Sequence, residues 1–437
     1  MKFEKVCVIG LGYIGLPTAC MLANRGLKVL GVDINPQIIE TLQGGGLHIH
    51  EPGLQALVQE ATSSGNLMVS EQPEDADAFI IAVPTPFYED RNGMARGASY
   101  RMADMRSVSA AAEAILPHLK RGNLVVLEST SPPRTTLDLV KPILDRSGLK
   151  PGVDYALCYS PERVLPGQIL RELVENARVI GGVGEVSAKA GQMLYAHFVT
   201  GEIVLTDATT AEMVKLMENT YRDINIAIAN EFSQLAEHLG VDIWEAIACA
   251  NRHPRVKILR PGPGVGGHCI SVDPWFLVEA APEITPLIHT ARQVNDGQPY
   301  FTLEFVRRVL GRTITDKRIA VLGLAFKPNV DDIRESPAID VAHLLVSAGA
   351  KVTAYEPFKP DAKVEGVQMA ESLEAALADA EAVILLVGHT PFLELKPEDV
   401  AKMTPARVMM DCVGGWKLQE WWDAGFQFFR LGDRKNI

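Results

Sequence analysis

The sequence lacks paired cysteines, long apolar runs and any excess of positive charge. Its six cysteines lie far apart and form no C-x-x-C pair, which argues against a zinc site or a disulfide framework and predicts no bound metal. The longest apolar runs, such as Ala78–Pro84 and Ala382–Val387, have the length of strands and fall far short of the ~20 residues that span a bilayer. The formal net charge of −12 opposes non-specific binding to nucleic acid. We therefore expect a cytoplasmic protein that contacts neither membranes nor nucleic acid.

Alternating strand and helix patterns fill the first half of the sequence. A chain of 437 residues is longer than one hydrophobic core usually serves, so several domains are expected. Short β-branched runs separated by helical patterns are typical of doubly wound α/β folds. The strands predicted from these runs are Val6–Ile9, Val29–Val32, Phe79–Val83, Leu124–Ser129 and Ala156–Tyr159.

A long helical pattern follows. Between Thr209 and Leu239, apolar residues recur every three or four positions without a proline, which predicts one amphipathic helix. A second helix at 242–251 and a Pro/Gly-rich segment at 260–267 come next.

The α/β rhythm restarts near Lys317. Strands are predicted at 318–322, 351–355, 382–387 and 407–411, with a helix at 338–347. The predicted fold class is α/β, with two Rossmann-like doubly wound domains joined by a long central helix and a helical dimerisation domain. The predicted boundaries are 1–200, 201–312 and 313–437.

A glycine motif follows the first predicted strand. Gly10-x-Gly12-x-x-Gly15 opens a helix, and Asp33 ends the next strand, which is the context of a dinucleotide-binding turn. Gly10 permits the tight turn, Gly12 lets the backbone approach a pyrophosphate, and Gly15 lets the helix pack on the strand. Asp33 would accept hydrogen bonds from the adenosine ribose and repel a 2′-phosphate. The motif predicts NAD⁺ as the cofactor, and the alternative is a glycine-rich turn without a ligand.

The segment 261–275, PGPGVGGHCISVDPW, is the most unusual stretch of the sequence. Its glycines give backbone freedom for close approach to a ligand, and His268 and Asp273 flank Cys269, where they could tune a thiolate. Lys215 and Asn219 share one face of the long helix and could steady an oxygen whose charge changes during hydride transfer. The alternatives are a buried, inert Cys269 and a solvated polar helix face.

Taken in order, the motifs resemble those of the UDP-glucose/GDP-mannose dehydrogenase family. The resemblance covers nearly the whole chain and depends on the order and spacing of many motifs rather than on one. The residues that carry it are G-L-G-Y-I-G at 10–15, Val83-Pro-Thr85-Pro, Glu128-Ser-Thr130, Ser160-Pro-Glu162-Arg, the run 211–219, Gly266-Gly-His-Cys269, Phe326-Lys327 and Arg334-Glu-Ser.

Two departures from the family pattern are informative. UDP-glucose dehydrogenases typically carry G-G-S-C-F-x-K-D at the cysteine, whereas this chain reads G-G-H-C-I-S-V-D at 266–273. With His253-Pro-Arg255-Val upstream and Asp273-Pro-Trp-Phe downstream, the chain is similar to the branch that acts on UDP-N-acetylhexosamines, and UDP-N-acetyl-D-mannosamine is the implied substrate. Pro166 stands where UDP-glucose enzymes often have a glutamate, so the role of that carboxylate is not carried over.

The resemblance implies oxidation of the C6 alcohol of a UDP-sugar to a carboxylate, with two NAD⁺ reduced and one water consumed. Cys269 would capture the aldehyde as a thiohemiacetal, which is oxidised to a thioester. Lys215 and Asn219 would stabilise the oxyanion, and either Asn219 or Asp273 with an ordered water would assist Lys215 in the first proton transfer, so the first base stays open. Glu162 with Thr130 would orient the hydrolytic water, and the alternative for Glu162 is a turn or helix cap.

The resemblance also implies binding residues. The cofactor contacts are Gly10, Gly12, Tyr13, Ile14, Gly15, Asp33, Pro84, Thr85, Thr130 and Arg334. The substrate contacts are Glu162, Arg163, Lys215, Asn219, Arg222, Arg255, Gly266, His268, Phe326 and Lys327. Arg255 would reach the substrate of a neighbouring subunit, and the long helix would form the core of a homodimer or larger homo-oligomer. The alternative for Arg255 and Arg334 is a surface role. The Gly323–Lys327 turn offers backbone N–H groups and a cation for the pyrophosphate of a UDP-sugar.

Two other functional classes fit part of the sequence. A two-electron 3-hydroxyacid dehydrogenase also joins a Rossmann domain to a helical domain with Lys and Asn, but it has no use for Cys269. A non-enzymatic NAD sensor needs neither Lys215 nor Cys269. UDP-N-acetylglucosamine and UDP-glucose stay open as alternative substrates, and so does the polysaccharide pathway that uses the product.

Overall fold

The computed structural model describes residues 2–49, 51–88, 101–165, 167–267 and 269–434. The chain forms two compact units. Unit 1 comprises Met1–Glu218 and Trp275–Ile284, and unit 2 comprises Asn219–Pro274 and Thr285–Ile437. The three-domain division predicted from the sequence stays a prediction.

Unit 1 is built on one mainly parallel sheet. Its strands, among the residues described, are β1 Lys5–Ile9, β2 Lys28–Val32, β3 Leu67–Ser70, β4 Ala78–Ile81, β5 Leu124–Leu127, β6 Ala156–Tyr159, β7 Arg178–Gly182 and β8 Ile203–Asp207. They lie in the order β3-β2-β1-β4-β5-β6-β7-β8, and the first six follow the order of doubly wound dinucleotide-binding folds. β6 and β7 pair antiparallel, and β7 and β8 pair parallel, so the last two strands run against the other six.

The strands of this sheet are apolar on both faces. In β1, Val6 and Val8 belong to one core cluster, and Cys7 and Ile9 belong to another, as expected for a parallel sheet that is buried on both sides. The helices of this part of the chain are α1 Gly15–Asn24, α2 Pro36–Gln43, α3 Leu54–Ser63, α4 Arg106–Ile115, α5 Lys141–Asp145, α6 Ile169–Glu175 and α7 Glu185–Tyr195. A π-helical turn, Thr136–Val140, leads into α5.

The long amphipathic helix predicted from the sequence is α8, Ala208–Leu239. It is followed by α9 Ile243–Ala250, α10 Asp273–Ala280 and α11 Pro286–Leu310. Asp242 caps α9, because its side chain accepts a hydrogen bond from the Trp244 N–H at 2.8 Å, as Asp commonly does at a helix start. The sequence patterns do not predict α11, since Pro299 lies inside it and an internal proline usually indicates a helix end.

Unit 2 contains a second parallel sheet. Its strands are β9 Arg318–Leu322, β10 Lys351–Tyr355, β11 Gln368–Met369, β12 Ala382–Leu385, β13 Val408–Asp411 and β14 Gln427–Arg430. Besides α9, α11 and most of α8, the described helices of unit 2 include α12 Pro337–Ser347, α13 Leu373–Leu377, α14 Thr390–Leu393, α15 Pro397–Met403 and α16 Leu418–Asp423. The strand order β11-β10-β9-β12-β13-β14 repeats that of the first six strands of unit 1, so the predicted pair of Rossmann-like sheets is confirmed. In the described ranges, no helix is long and apolar enough to cross a membrane.

Candidate active site

The glycine motif after β1 has the geometry of a dinucleotide-binding turn. Gly10 has a φ of +95°, and a Cβ on it would lie 2.5 Å from the carbonyl oxygen of Ala82. A Cβ on Gly15 would lie 1.8 Å from the carbonyl oxygen of Gly10, so only glycine lets α1 pack this closely on the sheet. A Cβ on Gly12 would meet no atom within 4 Å. Gly12 therefore leaves space for a ligand to approach the backbone.

The start of α1 suits the phosphates of an adenosine diphosphate, and the end of β2 suits its ribose. Ile14 precedes α1 without capping it through its side chain, and no acidic residue lies in the first turn, so the positive end of the helix can receive a phosphate. The Asp33 carboxylate accepts hydrogen bonds from the backbone N–H groups of Leu11 and Asn35, both at 2.9 Å. A carboxylate has about four acceptor positions, so Asp33 can also accept two ribose hydroxyls. Tyr13 packs against the neighbouring core.

Three further predicted cofactor residues lie at the carboxyl ends of β4 and β5. Thr85 donates from Oγ1 to the carbonyl oxygen of Thr130 at 2.7 Å, and Ser129 donates to the carbonyl oxygen of Val83 at 2.7 Å. Pro84, which lies between Val83 and Thr85 in the sequence, is exposed. Since β4 pairs with β1, this edge of the sheet is the one that carries the glycine turn, where ligands of open α/β sheets bind.

Glu162 follows β6 and is held by two arginines. Its Oε1 accepts the N–H of Arg163 at 2.7 Å, and its Oε2 accepts a hydrogen bond from the Arg178 side chain. Arg163 in turn pairs with Glu218 at 2.6 Å. Lys215, on α8, is 7% exposed. The bond from the Arg163 N–H is local, as in a side chain that caps a turn, whereas the bond from Arg178 is an ion pair with a residue further along the chain. Glu162 therefore has both a local backbone contact and an ion pair.

In unit 2, glycines pack the cysteine loop against the segment 326–335. A Cβ on Gly266 would lie 2.2 Å from the carbonyl oxygen of Glu335, and a Cβ on Gly267 would lie 2.7 Å from the ring of Phe326. Two residues after this contact, Cys269 is exposed. The structure therefore places Phe326, which is distant in sequence, against the loop that carries Gly266 and Cys269.

Asp273 and Asn219 are also part of this group. Asp273 is 1% exposed, and its Oδ2 accepts a hydrogen bond from Asn219 Nδ2 at 2.5 Å. The Asp273 N–H donates to the carbonyl oxygen of Cys269 at 2.8 Å. The helix α8 amide, the buried carboxyl and the cysteine thus form one hydrogen-bonded unit.

Three buried amides anchor the start of the loop, and the sequence analysis missed them. Asn230 accepts the Gly262 N–H at 3.0 Å and donates to Asn295 at 2.9 Å, and Gln298 donates to the Gly262 carbonyl at 2.8 Å. The signal that could have revealed them is the presence of amide side chains at buried positions of α8 and α11. These bonds satisfy both backbone groups of Gly262 and so fix where the loop begins.

Accessibility separates the six cysteines. Burial raises the pKa of the Cys7 and Cys20 thiols to about 12, and burial also raises the pKa of Cys158 and Cys412. A thiol with a raised pKa carries little thiolate and is a poor nucleophile. Cys249 and Cys269 are exposed. Of these two, Cys249 lies on α9 and Cys269 lies in the glycine loop.

The second glycine turn differs from the first in its hydrogen bonds. Gly323 has a φ of +89°, as Gly10 does, but the N–H groups of Leu324 and Ala325 donate to Glu356 Oε2 at 2.7 and 2.9 Å. The N–H groups of Gly323 and Phe326 donate to carbonyl oxygens. The N–H groups of residues 323 to 326 are thus already bonded within the fold and do not support the expectation that the backbone of this turn binds a pyrophosphate, which stays a prediction. Lys327 is left as the cation of the turn, and its Nζ lies 6.0 Å from the centre of the Phe326 ring.

Four of the predicted binding residues remain, three arginines and one histidine. Arg334 forms hydrogen bonds with Asp332 at 2.7 and 2.9 Å and its side chain is 55% exposed. Arg222 and Arg255 are exposed, and His268 lies outside the described residues. Their assigned contacts stay predictions.

Comparison with known proteins identifies the class. Models of the UDP-glucose/GDP-mannose dehydrogenase family match three consecutive parts of the chain: the NAD binding domain at residues 4–199, the central domain at 209–297 and the UDP binding domain at 320–417. The chain belongs to this family. It is an NAD-dependent UDP-sugar dehydrogenase, and the cofactor predicted from the glycine motif is confirmed.

Individual relatives match the chain over nearly its full length. It is 45% identical to the UDP-N-acetyl-D-mannosamine dehydrogenase of Methanocaldococcus jannaschii, over 99% of this chain and 97% of that protein. It is 48% identical to the NDP-N-acetyl-D-galactosaminuronic acid dehydrogenase of Ralstonia nicotianae, over 95% and 97%. The solved structure of UDP-D-ManNAc dehydrogenase from Pyrococcus horikoshii superposes with a TM-score of 0.89 at 39% identity, over 99% and 100% of the two chains. Two different N-acetylated sugars occur in these names, so identity alone does not select the substrate.

Proposed function

We propose that the enzyme oxidises the C6 alcohol of UDP-N-acetyl-D-mannosamine to the carboxylate in two successive hydride transfers. The observation that carries the proposal is the exposed Cys269 in a glycine-packed loop, hydrogen-bonded through its backbone to the buried Asp273–Asn219 pair. A two-electron dehydrogenase has no use for such a thiol. The choice of N-acetylmannosamine is supported by the relatives that carry this name and by the Asp273-Pro-Trp-Phe sequence after the cysteine loop.

In the first oxidation a base must accept the proton of the C6 hydroxyl. The glycine turn would hold one NAD⁺ as the hydride acceptor of this step, and after exchange of the resulting NADH it would hold a second NAD⁺ for the second oxidation. Lys215, assisted by Asn219 or Asp273 and an ordered water, receives or relays the proton. The product of this step is an aldehyde that stays in the site.

Cys269 then adds to the aldehyde. The thiolate sulfur bonds to the aldehyde carbon, and the carbonyl oxygen becomes an oxyanion of a thiohemiacetal. Lys215 and Asn219 stabilise this oxygen, and each donor of this kind contributes roughly 3–4 kcal/mol in other enzymes. Loss of the second hydride converts the thiohemiacetal into a thioester, so the aldehyde does not escape.

Hydrolysis releases the product. Glu162, with Thr130, orients a water that attacks the thioester carbon, and Cys269 leaves as a thiolate. Arg163, Arg222, Gly266 and His268 complete the proposed substrate contacts in this region.

Unit 2 holds the nucleotide half of the substrate. Since the backbone groups of the Gly323 turn are already bonded, the Lys327 ammonium and the Phe326 ring are the proposed contacts to the UDP moiety. The Lys327 charge compensates a pyrophosphate in a chain whose net charge is −12.

We also propose a cytoplasmic homodimer formed through α8. Seven large apolar side chains of this helix are exposed in the single chain, and a monomer rarely leaves such a row open to water. They are Met213, Met217, Tyr221, Ile228, Phe232, Leu235 and Leu239. Arg255 would then reach the substrate of the partner copy.

The decisive experiment measures NADH formation by the purified enzyme. UDP-N-acetylmannosamine, UDP-N-acetylgalactosamine, UDP-N-acetylglucosamine and UDP-glucose are compared, and we expect the highest kcat/KM with the first. Two NADH per sugar support four-electron oxidation, whereas one NADH supports the two-electron class.

A pair of cysteine variants tests the covalent step. Cys269→Ala should abolish formation of the uronic acid while NAD⁺ and UDP-sugar still bind, because the thiol acts on the aldehyde. Cys249→Ala is the matched control, since it removes the exposed thiol of α9 and should leave the reaction intact. When the aldehyde of the sugar is supplied directly, oxidation by Cys269→Ala at a near wild-type rate would contradict the covalent mechanism.

A further inference from the structure

A buried group of charged side chains lies behind Glu162 in unit 1. Arg178, the first residue of β7, donates from one guanidinium nitrogen to Glu162 and from the other to Glu128 at 3.2 Å. The side chains of Arg178, Glu128 and Glu162 are 4%, 0% and 9% exposed. Arg178 also donates to the Ser160 hydroxyl at 2.9 Å. Neither Arg178 nor Glu128 is among the site residues that the sequence predicts.

Tyr195 of α7 closes the group on its other side. Its hydroxyl donates to Glu128 Oε1 at 3.0 Å, and its ring centre lies 4.1 Å from the guanidinium carbon of Arg178. A buried guanidinium is costly unless it is paired and hydrogen-bonded, and here the aromatic ring and two carboxyl groups surround it. Glu128, Glu162 and the Tyr195 ring therefore contact the guanidinium group of Arg178 and fix its position.

Two carboxyl groups share this one cation, so the group would carry a net negative charge if both were ionised. Burial raises the pKa of Glu128 to about 7, so near neutral pH a large share of the molecules carries a proton on Glu128. Among the residues that the structure describes, none donates to its Oε2, and a neutral oxygen tolerates that better than an anionic one. The groups that face Glu128 are Arg178, Glu162, Tyr195 and the Cys158 thiol.

We propose that Arg178 is a positioning residue that fixes the Glu162 carboxylate, and that Glu128 determines how firmly Arg178 holds it. The inference rests on the proposed function, in which Glu162 orients the water that attacks the Cys269 thioester. In that step the water oxygen bonds to the acyl carbon, the carbon–sulfur bond breaks, the sulfur leaves as thiolate and Glu162 receives the proton. Because Glu162 Oε1 accepts the Arg163 N–H, the bond from Arg178 to Oε2 fixes the rotation of the carboxylate.

Arg178→Lys and Arg178→Met test the positioning role. Lysine keeps the charge but not the planar fork that spans two carboxyl groups, and methionine removes both. In each variant we expect the steady-state rate to fall at least tenfold (about 1.4 kcal/mol). NADH should appear in a burst of two equivalents per subunit, and acid quench should trap the acyl group on the Cys269 peptide. Arg171→Met is the control, because Arg171 forms an exposed ion pair on α6, and it should show wild-type kinetics.

Glu128→Gln provides a second readout that a purely structural role would not change. Glutamine has nearly the shape of a protonated glutamic acid and keeps an acceptor for Tyr195 and Arg178. In the wild type, rising pH ionises Glu128, and the second carboxylate competes for Arg178. The ratio of the steady-state rate to the burst rate should therefore fall between about pH 6 and pH 8 in the wild type. In Glu128→Gln this ratio should stay level.

Three outcomes overturn the inference. Equal loss of burst and steady-state rates in the Arg178 variants, without acyl-Cys269, means that Arg178 only stabilises unit 1. The same pH dependence in Glu128→Gln as in the wild type removes the role of Glu128. If the wild type forms no NADH from any UDP-sugar, the proposed function fails, and the inference fails with it. If the wild type turns over normally but the Arg178 variants accumulate no acyl-enzyme, the inference about Arg178 fails while the proposed function stands.

Discussion

Gly267 links the cysteine loop to Phe326, and replacing it by alanine tests that contact. Gly267 has a φ of +88°, a left-handed conformation that costs an L-residue about 1–2 kcal/mol. The added Cβ would lie 2.7 Å from the Phe326 ring, whereas carbon atoms in contact sit about 3.5–4.0 Å apart, so the ring must move by about 1 Å. Turning the ring from its rotamer adds about 0.5–1.5 kcal/mol. We expect Gly267→Ala to lower the free energy of unfolding by about 1.5–3.5 kcal/mol.

The same displacement should also affect catalysis. A shift of about 1 Å near reacting groups costs on the order of 100-fold in rate, and Cys269 lies two residues after Gly267. We therefore expect kcat/KM for the UDP-sugar to fall by about 100-fold. The Kd of NAD⁺, which binds to unit 1, should not change. Urea unfolding, initial-rate kinetics and NAD⁺ titration measure the three quantities.

Gly262→Ala is the matched control from the same loop. A Cβ on Gly262 would meet no atom within 4 Å, so the variant should unfold within about 0.5 kcal/mol of the wild type and keep its activity. If Gly267→Ala matches Gly262→Ala in both stability and kcat/KM, then the packing of Phe326 on the loop has no part in placing Cys269.

Three further predictions concern other parts of the chain. The enzyme should prefer NAD⁺ strongly over NADP⁺, because the Asp33 carboxylate would lie where the 2′-phosphate must sit; equal kcat/KM for the two cofactors would refute this role. Lys327→Ala should raise KM for the UDP-sugar more than for NAD⁺, and initial-rate kinetics showing the reverse would exchange the ligands of the two units. Arg134 has a φ of +75°, so Arg134→Gly should be more stable than Arg134→Ala by about 1 kcal/mol. Both variants lose the same ion pair with Asp138, and equal urea midpoints would show that the backbone there is not strained.

The fold could be predicted where a local pattern carried it. The strands predicted at Val6–Ile9 and Arg318–Leu322 correspond to β1 and β9, because buried parallel strands are short β-branched runs. The predicted strand ending at Ser129 stops at Leu127 instead, since Ser129 turns its hydroxyl to the Val83 carbonyl. β7 was missed for a physical reason: it begins with a buried arginine and ends with two glycines, which is unlike a strand pattern.

The candidate site could be predicted only in part. The glycines and His268 around Cys269 are adjacent in sequence, so a motif shows them, but the contact between Asn219 and Asp273 joins residues 54 positions apart. Arg178 has no motif, and an isolated arginine is ordinarily exposed. Its only sequence signal is a charge directly before the apolar run 179–183. Whether an arginine is buried in an ion pair depends on which other segments of the chain pack around it, and only the folded structure shows those contacts.

Asp33 and Glu356 occupy the same place in the two sheets, but their surroundings differ, which predicts that the two units bind nucleotides through different groups. Ile9 pairs with Val32, and Leu322 pairs with Tyr355, so each acidic residue follows an equivalent strand end. Asp33 is partly exposed and keeps two acceptor positions for a ribose.

Glu356 is one methylene longer and is 1% exposed. Since His389 Nδ1 accepts the Asn329 N–H at 2.9 Å, its Nε2 carries the hydrogen and donates to Glu356 at 3.0 Å. Burial alone would raise the pKa of Glu356, but the hydrogen bonds that the carboxylate accepts from His389 and from the backbone N–H groups of Leu324 and Phe358 lower it, so the carboxylate is held ionised within the fold. Leu324, Ala325 and His389 donate to its Oε2, and the Phe358 N–H donates to its Oε1 at 3.0 Å. About four acceptor positions are thus occupied, so Glu356 cannot accept the ribose hydroxyls that Asp33 can. We therefore expect a nucleotide in unit 2 to be held by side chains such as Lys327, which the KM comparison for Lys327→Ala tests directly.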